Sequence, residues 1–548
     1  MADRPRRVTL VTDELLGYGR TGGLGTATTF LALALGRLGQ RVDLLYVGER
    51  PTVEIDDDWR DLYARAGVSI RMLERRERRT EPGFFARALD VEHALAEEPP
   101  DVVIVQDLAA PAYTALRMRQ LGFGFDQTLF VVYCHGTRQW ITDVARKTRV
   151  LPGALAIGIV EQASLELADV VVSPSAYLLD WMRAEGWNLP QGSRVIPYLT
   201  RSAATGEPAA APPEAAPIER IVFFGRFEER KGIRPFAAGL DGVRGLLDGV
   251  DVEFLGGPTE PWPTERVAAL LPDGIEATFR TGLDQRDALE RLRRPGTLAV
   301  MPSLEDNSPN VVYECIEQGV PFIASRTGGI AELVAPEDRE RVLFTPTAEG
   351  VAIALKRALT ADAFAPARFA FDPKDGPTAW EDVLATSVPQ RATHPRDDFV
   401  LLGGGAPREQ LERAQAASGA DIVTCGITTP NGVEHYFLGD PGALGLLSNS
   451  YGTVALVRRS FVQDEREPLW PLLARAVLNG ANAVSIPRPL VESRAPSTDD
   501  ALAVMQEFER SLPHGSRLLA RLAAGLAAQS ASAQHTARRR LSKLLARR

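Results

Sequence analysis

The chain of 548 residues contains only three cysteines and six histidines. Cys134, Cys315 and Cys425 are widely spaced and odd in number, which argues for reduced core thiols rather than a disulfide framework. No group of cysteines and histidines has the spacing of metal ligands, so we predict no metal site. Few cysteines and no disulfide framework favour the cytoplasm.

Long apolar runs are also missing. No run reaches the roughly 18 residues that a membrane-spanning helix requires. The N-terminal segment MADRPRRVTLVTDELL has basic residues without a long apolar core, so it is not typical of a signal peptide. We expect it to lead into a first strand at Val8–Thr12.

Negative charge is unevenly distributed. The chain carries a formal charge of −9, yet from Arg510 to the end it has nine arginines or lysines and no acidic residue. The rest of the chain is therefore more acidic than the total suggests. An acidic body is unsuited to nucleic acid, so we predict no nucleic-acid partner.

The length predicts about three domains, at roughly 100–200 residues each. Short β-branched runs alternate with helical patterns, and an Ala/Pro-rich segment divides this alternation into two parts. The sequence therefore predicts two α/β domains with parallel sheets, joined by a linker. The predicted divisions are an N-terminal α/β domain (1–200), a linker (201–217), a second α/β domain (218–365), a cross-over helix and linker (366–395), a small α/β module (396–495) and a basic helical tail (496–548).

Two loops offer groups for an anion. TGGLGTATTFLALAL places Gly22 and Gly23 before a helix, where free N–H groups suit an anion, although the same pattern fits a plain tight turn. FFGRFEERKG places Arg226 and Lys231 after a strand, where they would bind a diphosphate. A solvated charged turn is the alternative for the second loop.

The stretch SLEDNSPNVVYECIEQGV combines acids with a helix start. We expect a strand to end at Ser303 and a helix to begin at Asn310, with seven residues between Asp306 and Glu314. Glu314 could accept two hydrogen bonds from a ribose diol. A capping cluster would explain Asp306 and Asn307 at a helix N-terminus, but not Glu314 inside a mostly apolar helix.

His135 follows the buried strand of LFVVYCHG. At the carboxyl end of a parallel strand it could face a ligand cleft. A structural histidine is the alternative.

Together these pieces resemble the family-4 retaining glycosyltransferases of the GT-B fold, which has two Rossmann-like domains facing a cleft. GRFEERKG is similar to that family's diphosphate-binding pair, and PSLEDNSPNVVYECIEQGVPFIASRTGGIAELV resembles its acid–seven–acid signature with the Gly-Gly-x-x-Glu turn. GGLG, EQASLELADVVVSPSAYLLDWM and PTAWEDVLA, with Trp380, resemble its glycine loop, pre-linker segment and last helix. The resemblance covers about residues 7–388.

The resemblance implies transfer of a sugar from a nucleotide-diphosphate-sugar to an acceptor hydroxyl with the anomeric configuration kept, and with no cofactor or metal. The implied and predicted site residues are Arg226 and Lys231 at the diphosphate, Gly22 and Gly23 beside it, Glu314 at the ribose, Asp306 or Glu305 near the donor sugar, His135 near the reacting carbon, and Asn307 and Asn310 in the binding set.

Two departures from the family pattern stand out. IPYLT places Tyr198 where the family usually has asparagine, so the entry to the linker differs. EDNSPN replaces the usual Glu-Gly-Phe-Gly run, which makes Asp306 the seven-spaced acid and leaves Glu305 as an alternative.

The last 150 residues suggest two further features. Residues 397–491 resemble the later half of a family-2 GT-A glycosyltransferase, but the metal-binding acidic triplet would fall at Gly403, Gly404 and Gly405. We therefore expect a degenerate, non-catalytic module that binds acceptor, dimerises or docks. The tail has apolar residues at helical spacing with arginines on another face, which fits either peripheral contact with an anionic membrane or a solvated or dimerising helix.

The leading prediction is therefore a metal-independent, hexosyltransferase-like enzyme of polysaccharide, glycolipid or glycoconjugate synthesis. Its expected partners are a nucleotide-sugar donor and a glycan, lipid or small-molecule acceptor. Its expected location is the cytoplasm or the inner face of the membrane. A nucleotide-sugar epimerase on the same fold and a non-catalytic sugar-nucleotide-binding scaffold are the alternatives.

The basic stretch RMLERRERR at Arg71–Arg79 is either an acceptor loop or a solvated helix face.

Overall fold

A computed structural model describes residues 4–496 apart from 19–20, 50–54, 146–151, 391, 396–397, 406, 442–443 and 446–448. The basic tail thus lies outside the described residues, and the predictions made for it stay predictions. Within the described part of the chain, no helix is both long enough and apolar enough to cross a bilayer.

The first domain is built on a seven-stranded sheet in which every neighbouring pair of strands is parallel. Its central strands are buried along their whole length, because both faces are covered and the sequence there is a continuous apolar run. The sheet order is β3-β2-β1-β5-β6-β7-β8. The strands are β1 (Arg7–Thr12), β2 (Arg41–Tyr46), β3 (Val68–Met72), β5 (Val102–Gln106), β6 (Leu129–Tyr133), β7 (Val170–Ser173) and β8 (Arg194–Val195).

Helices connect these strands and cover the two faces of the sheet. They are α1 (Gly23–Arg37), α2 (Asp57–Arg65), α3 (Phe85–Glu97), α4 (Tyr113–Gln120), α5 (Arg138–Val144), α6 (Pro152–Leu167), α7 (Ala176–Ala184) and, inside the predicted linker, α8 (Arg201–Thr205).

The second domain repeats this architecture with a six-stranded parallel sheet in the order β11-β10-β9-β12-β13-β14. Its strands are β9 (Arg220–Phe224), β10 (Asp251–Leu255), β11 (Thr278–Arg280), β12 (Thr297–Met301), β13 (Phe322–Ser325) and β14 (Leu343–Phe344). Its helices are α9 (Ile233–Asp241), α10 (Thr264–Ala268), α11 (Gln285–Leu292), α12 (Asn310–Glu317), α13 (Ile330–Leu333), α14 (Pro336–Val342) and α15 (Ala348–Leu359). The predicted fold class, with two Rossmann-like domains, is confirmed.

After the second domain the chain returns to the first one. Helix α16 (Asp375–Leu384) carries Trp380, which is fully buried and packs edge-on against Tyr133 of β6 with 5.1 Å between ring centroids. This contact ties the end of the second domain to the core of the first.

The third region forms a mixed sheet that is not self-contained. Its strands are β15 (Phe399–Leu402), β16 (Ile422–Thr428), β17 (Glu434–His435), β18 (Ala455–Arg458) and β19 (Ala483–Glu492), and its helices are α17 (Arg408–Ser418) and α18 (Leu469–Leu478). The sheet order is β15-β18-β16-β17-β4, with β19 beside β16, and β4 (Thr80–Glu81) comes from the first domain.

The structure excludes one of the two alternatives for the Arg71–Arg79 stretch, the solvated helix face. The stretch is not a helix face, because Val68–Met72 forms β3 and the chain then runs without helix into β4. β4 pairs in parallel with β17, so Thr80 lies opposite Glu434 and Glu81 opposite His435. The charged stretch therefore leads directly to the contact between the first domain and the third region.

Candidate active site

The loop after β12 meets the loop after β9 at the carboxyl edge of the second sheet. Lys231 Nζ lies 2.6 Å from Asp306 Oδ2, and Arg230 Nη1 lies 3.1 Å from Asp306 Oδ1. Gly232 has φ +76°, and a Cβ there would lie 1.8 Å from the carbonyl oxygen of Pro302. Only glycine therefore allows the two loops to approach this closely.

The electrostatics of this cluster follow from burial and pairing. Burial alone would raise the pKa of the Asp306 carboxyl, but the adjacent Lys231 and Arg230 hold that pKa well below its usual range. Burial also lowers the pKa of Lys231, with Asp306 opposing that shift. Asp306 is thus an ionised carboxylate held between two cations.

The structure separates the two acids that the sequence left as alternatives. Asp306 is only 6% exposed and faces the two cations of its own domain. Glu305 is partly exposed, and its carboxylate lies beside the hydroxyl of Tyr177 in the first domain. Burial and the neighbouring Glu305 raise the pKa of Tyr177 to about 12, against the hydrogen bond from Trp140, which lowers it. Glu305 is therefore the acid of this pair that faces the other domain.

Glu314 lies inside α12, as expected from the sequence. Its Oε1 accepts a hydrogen bond of 2.6 Å from Gln285 Nε2, at the N-terminus of α11. Burial raises the pKa of Glu314 to about 7, although Gln285 opposes the shift. The residue is poised between its neutral and charged forms near neutral pH.

Arg226 follows β9 and is the most accessible cation of the predicted diphosphate pair. Its side chain is 63% exposed, and among the described residues it is paired with Glu228 alone, at 3.5 Å. An ion pair with this exposure and length contributes little to stability. Arg226 can therefore turn toward a ligand at small cost.

The glycine loop of the first domain is occupied by a carboxylate of the same chain. Glu14 Oε2 accepts hydrogen bonds from the N–H groups of Gly22 (2.8 Å) and Gly25 (3.3 Å) at the start of α1. A carboxylate is favoured at a helix N-terminus, so this contact shows that the loop attracts negative charge. The predicted roles of Gly22 and Gly23 at a diphosphate stay predictions, and the N–H of Gly22 would have to exchange Glu14 for that ligand.

Two asparagines of the segment after β12 contact the first domain. Asn310 Nδ2 donates to the carbonyl oxygen of Gly23 over 2.8 Å, and Asn307 Nδ2 donates to the carbonyl oxygen of His135 over 3.4 Å. Asn307 Oδ1 also accepts from Ser175 Oγ. The loop and helix start at 305–310 thus face both the glycine loop and His135 across one crevice.

His135 is held by contacts to both its backbone and its ring. Its N–H donates to Asp107 Oδ1 (2.9 Å), and the N–H of Gly136 donates to Asp107 Oδ2 (2.9 Å). The ring Nδ1 lies 2.8 Å from the hydroxyl of Tyr198. Burial lowers the pKa of His135 to about 3, so its imidazole is neutral at physiological pH.

Two buried carboxylates behind His135 were not identified from the sequence. Burial raises the pKa of Asp107 to about 6 and that of Glu161 to about 7, against the hydrogen bonds that each accepts from backbone N–H groups. Glu161 accepts from the N–H groups of Ala109 (2.6 Å) and Arg138 (2.7 Å). The available signal was an acid directly after the buried strand DVVIVQD.

Glu332 is a third acidic residue whose role was not predicted from the sequence. It belongs to the Gly-Gly-x-x-Glu turn of the second domain, and its carboxylate accepts from the N–H groups of Ala176 (2.7 Å) and Tyr177 (2.9 Å). These are the first residues of α7 in the first domain, where N–H groups have no partner within the helix. One domain therefore caps a helix of the other.

Metal-ligating side chains do not cluster at this site. Within the described ranges, no group of three or more His, Cys, Asp or Glu residues could hold a metal ion.

Two family models match the chain in the regions just described. Residues 21–197 match Glycosyltransferase Family 4, and residues 218–361 match Glycosyl transferases group 1. The first match covers the first parallel sheet apart from β1, and the second match covers the second sheet. All of the predicted site residues fall within these two matches.

Individual relatives share less with the chain. It is 40% identical over 67 residues to sulfoquinovosyl transferase SQD2 of Arabidopsis thaliana, which is 12% of this chain and 13% of that protein. Sucrose-phosphate synthase from Thermosynechococcus elongatus has a TM-score of 0.48 at 20% identity, covering 69% of this chain and 96% of that one. The catalytic domain of starch synthase IV from Arabidopsis thaliana, bound to ADP and acarbose, has a TM-score of 0.47 at 13% identity, covering 70% and 96%.

The assignment rests on the two family matches and on the two parallel sheets that they cover. The chain therefore contains a family-4 glycosyltransferase domain followed by a group 1 glycosyltransferase domain, each built on one of the two parallel sheets.

Proposed function

We propose that the protein is a retaining, metal-independent glycosyltransferase that moves a sugar from a nucleotide-diphosphate-sugar to an acceptor hydroxyl. The observation that carries this proposal is the pair of hydrogen bonds from Asn307 and Asn310 to the carbonyl oxygens of His135 and Gly23. These bonds bring the predicted donor-binding residues of the second domain beside the predicted reaction site of the first.

The second domain supplies groups that match each part of such a donor. Lys231 and Arg226 would bind the diphosphate, and they would stabilise the negative charge that develops as it leaves. Lys231 has three N–H donors and Asp306 takes one of them, so the ammonium retains donors for phosphate oxygens. Glu314 would accept hydrogen bonds from the ribose diol.

The chemistry follows from these assignments. The bond between the anomeric carbon and the diphosphate oxygen breaks, and its electron pair leaves with the diphosphate. The acceptor oxygen bonds to the same face of that carbon, and its proton passes to the departing phosphate oxygen. Because Arg226 and Lys231 supply positive charge at the leaving group, this scheme requires no divalent cation.

The acceptor is expected to be a glycan, a lipid or a small molecule, in polysaccharide, glycolipid or glycoconjugate synthesis. The first domain and the third region meet at β4 and β17, directly after the charged stretch 71–79. We propose that acceptor recognition involves this charged stretch and the contact to which it leads. That the third region is a degenerate, non-catalytic module stays a prediction, and sugar transfer by residues 390–548 alone would contradict it.

A thermal-shift screen followed by product analysis tests the proposal. Nucleotide-diphosphate-sugars that bind the folded chain should raise its melting temperature according to RT ln(1 + [L]/Kd). Donors that bind are then incubated with candidate acceptors after treatment with a chelator, and the anomeric proton of the product is identified by NMR. Inverted product or a strict metal requirement would contradict the proposal, and an epimer formed without acceptor would favour the epimerase.

Replacing Lys231 by alanine should lower kcat/KM by about 100- to 1,000-fold, since one donor to the developing charge is lost. The measurement is the initial rate of nucleotide diphosphate release. Lys356→Ala changes an exposed lysine of α15 and should retain the wild-type rate. Wild-type turnover in Lys231→Ala, with an unchanged melting temperature, would remove Lys231 from the donor site.

A further inference from the structure

Tyr198 lies where the two domains meet, just before α8. It is 6% exposed, and its backbone N–H donates to the hydroxyl of Tyr313 in α12 over 3.0 Å. The Tyr313 hydroxyl also lies 2.9 Å from Ser308 Oγ, two residues after Asp306. The backbone of Tyr198 is thus bound to the signature segment of the second domain.

The side chain of Tyr198 contacts the reaction site of the first domain. Its hydroxyl lies 2.8 Å from His135 Nδ1, and the two rings stack with centroids 5.5 Å apart at an angle of 26°. Tyr133 packs edge-on against both rings, at 4.6 Å from His135 and 5.8 Å from Tyr198. The imidazole is therefore fixed in orientation by aromatic contacts and by a hydrogen bond at one nitrogen.

The other ring nitrogen of His135 has no partner. Nε2 is buried, and it forms no hydrogen bond with any residue that the structure describes. A buried polar nitrogen left unpaired costs free energy, so such an atom requires its own explanation. A ligand oxygen in the crevice would supply the missing partner.

The hydroxyl of Tyr198 determines which nitrogen carries the proton. It has one proton, and its two acceptors are His135 Nδ1 at 2.8 Å and the carbonyl oxygen of Cys134 at 3.4 Å. If Nδ1–H donated to the hydroxyl, the hydroxyl proton would be left with only the 3.4 Å contact, which is longer than a normal O–H···O hydrogen bond. We therefore assign the hydroxyl as the donor to Nδ1. A neutral imidazole that accepts at Nδ1 carries its proton on Nε2.

We propose that Tyr198 is a positioning residue that holds His135 as an Nε2–H donor and links this state to α12. The partner of Nε2 would be an uncharged oxygen of the donor sugar. That identification of the partner rests on the proposed function. Tyr198 occupies the position where the sequence departs from the family's usual asparagine. In place of that asparagine, this chain has a tyrosine whose side chain is long enough to reach Nδ1 of His135.

The first test reads the tautomer directly and needs no substrate. Nitrogen NMR of the full chain with 15N-labelled histidine should show His135 protonated on Nε2, with the signal assigned by its loss in His135→Gln. Tyr198→Phe keeps the ring and the backbone N–H but removes the hydroxyl, and it should shift the signal toward a mixture of tautomers. A proton on Nδ1 in the wild type, or an unchanged signal in Tyr198→Phe, would overturn the proposal.

The second test separates positioning from folding. With a donor that is turned over, Tyr198→Phe should lower kcat about tenfold, the scale of one lost hydrogen bond, and leave the KM for the donor within about twofold. Tyr451→Phe removes a buried hydroxyl of the third region and should retain wild-type kcat. An unchanged kcat in Tyr198→Phe would overturn the positioning role. If no donor is turned over, the proposed function fails while the NMR result still decides the tautomer.

Discussion

Single residues at this site differ in what their surroundings leave available for a ligand. Asp306 is held between two cations of its own domain, while Arg226, five residues before Lys231, has a side chain that is 63% exposed. The sequence places Arg226 and Lys231 in one loop but does not show that Lys231 pairs with Asp306, which is 75 residues away. Pairings over such a separation depend on the fold.

Glu314 gives a pH-dependent prediction. Its pKa is raised to about 7, and only its carboxylate form can accept two hydrogen bonds from a diol. Binding therefore releases a proton at acidic pH, so the Kd for a nucleotide-sugar should decrease as pH rises toward 7 and level off above it. Isothermal titration calorimetry between pH 5.5 and 8.5 measures this dependence.

A nucleotide-sugar is the suitable ligand for that titration, because its diphosphate is esterified at both ends and keeps its charge over this range. Glu314→Gln cannot ionise and should bind with a Kd that varies little with pH. A wild-type Kd that is constant from pH 5.5 to 8.5 would show that the ionisation of Glu314 is not coupled to binding.

Sequence reasoning at the residue scale succeeded where a side chain belongs to a local pattern. The start of α12 at Asn310 follows from a loop-forming segment before an apolar helical period, and the structure has the same boundary. Asp107, Glu161 and Glu14 were missed because their partners are backbone N–H groups of other segments. Such partners leave no trace in the spacing of residue types.

At the scale of elements, α7 is capped by both domains. Ser175 Oγ accepts from the N–H of Leu178, and Glu332 accepts from the N–H groups of Ala176 and Tyr177. Three N–H groups without partners in the helix are thereby satisfied, two of them by the second domain. The helix start and the domain contact depend on one carboxylate.

Replacing Glu332 by alanine should lower the free energy of unfolding by about 1–3 kcal/mol, because two N–H groups lose their acceptor. It should also weaken the contact between the domains and increase the radius of gyration in small-angle X-ray scattering. Urea unfolding measures the first effect.

Glu337→Ala is the matched control, since it removes an exposed carboxylate of α14 whose partner Arg368 lies 3.7 Å away. That variant should stay within about 0.5 kcal/mol of the wild type. Equal stability and equal radius of gyration in both variants would show that Glu332 does not hold the domains together.

Most elements of the first two domains were predictable, because strands buried on both faces are continuous apolar runs. Thr297–Met301 and Leu129–Tyr133 are examples, and every residue in both is buried. β4 was not predicted, since it has two residues, Thr80 and Glu81, and follows a charged stretch. Its pairing is specified by β17, more than 350 residues later, and not by its own composition.

At the scale of the whole molecule, the third region is joined to the first domain by charge as well as by β4 and β17. The two terminal guanidinium nitrogens of Arg488, Nη1 and Nη2, donate to the carboxylate of Glu92 in α3 over 2.6 and 2.5 Å. Glu92 is only 3% exposed. The two regions also share an apolar cluster, in which Met118 and Leu121 of the first domain pack among residues of the third region.

Arg488→Met should destabilise the chain by about 1–3 kcal/mol, because it leaves the buried carboxylate of Glu92 without its partner, while the Arg488 side chain itself is 38% exposed. The double variant Glu92→Leu with Arg488→Met should recover most of that loss, since two apolar side chains can replace a buried ion pair. Chemical unfolding of the two variants and the wild type measures both effects. Unaltered stability in Arg488→Met would mean that the pair does not hold the third region in place.

β4 belongs to the first domain but pairs with β17 in the sheet of the third region, and this separation affects how the chain folds during synthesis. During synthesis β4 emerges early, but its partner β17 follows about 350 residues later, which at about 5–20 residues per second is a delay on the order of 20–70 s. Throughout that interval the nascent first domain presents an unpaired edge and an uncovered apolar face. Newly made chains should therefore depend on chaperones until the last third leaves the ribosome.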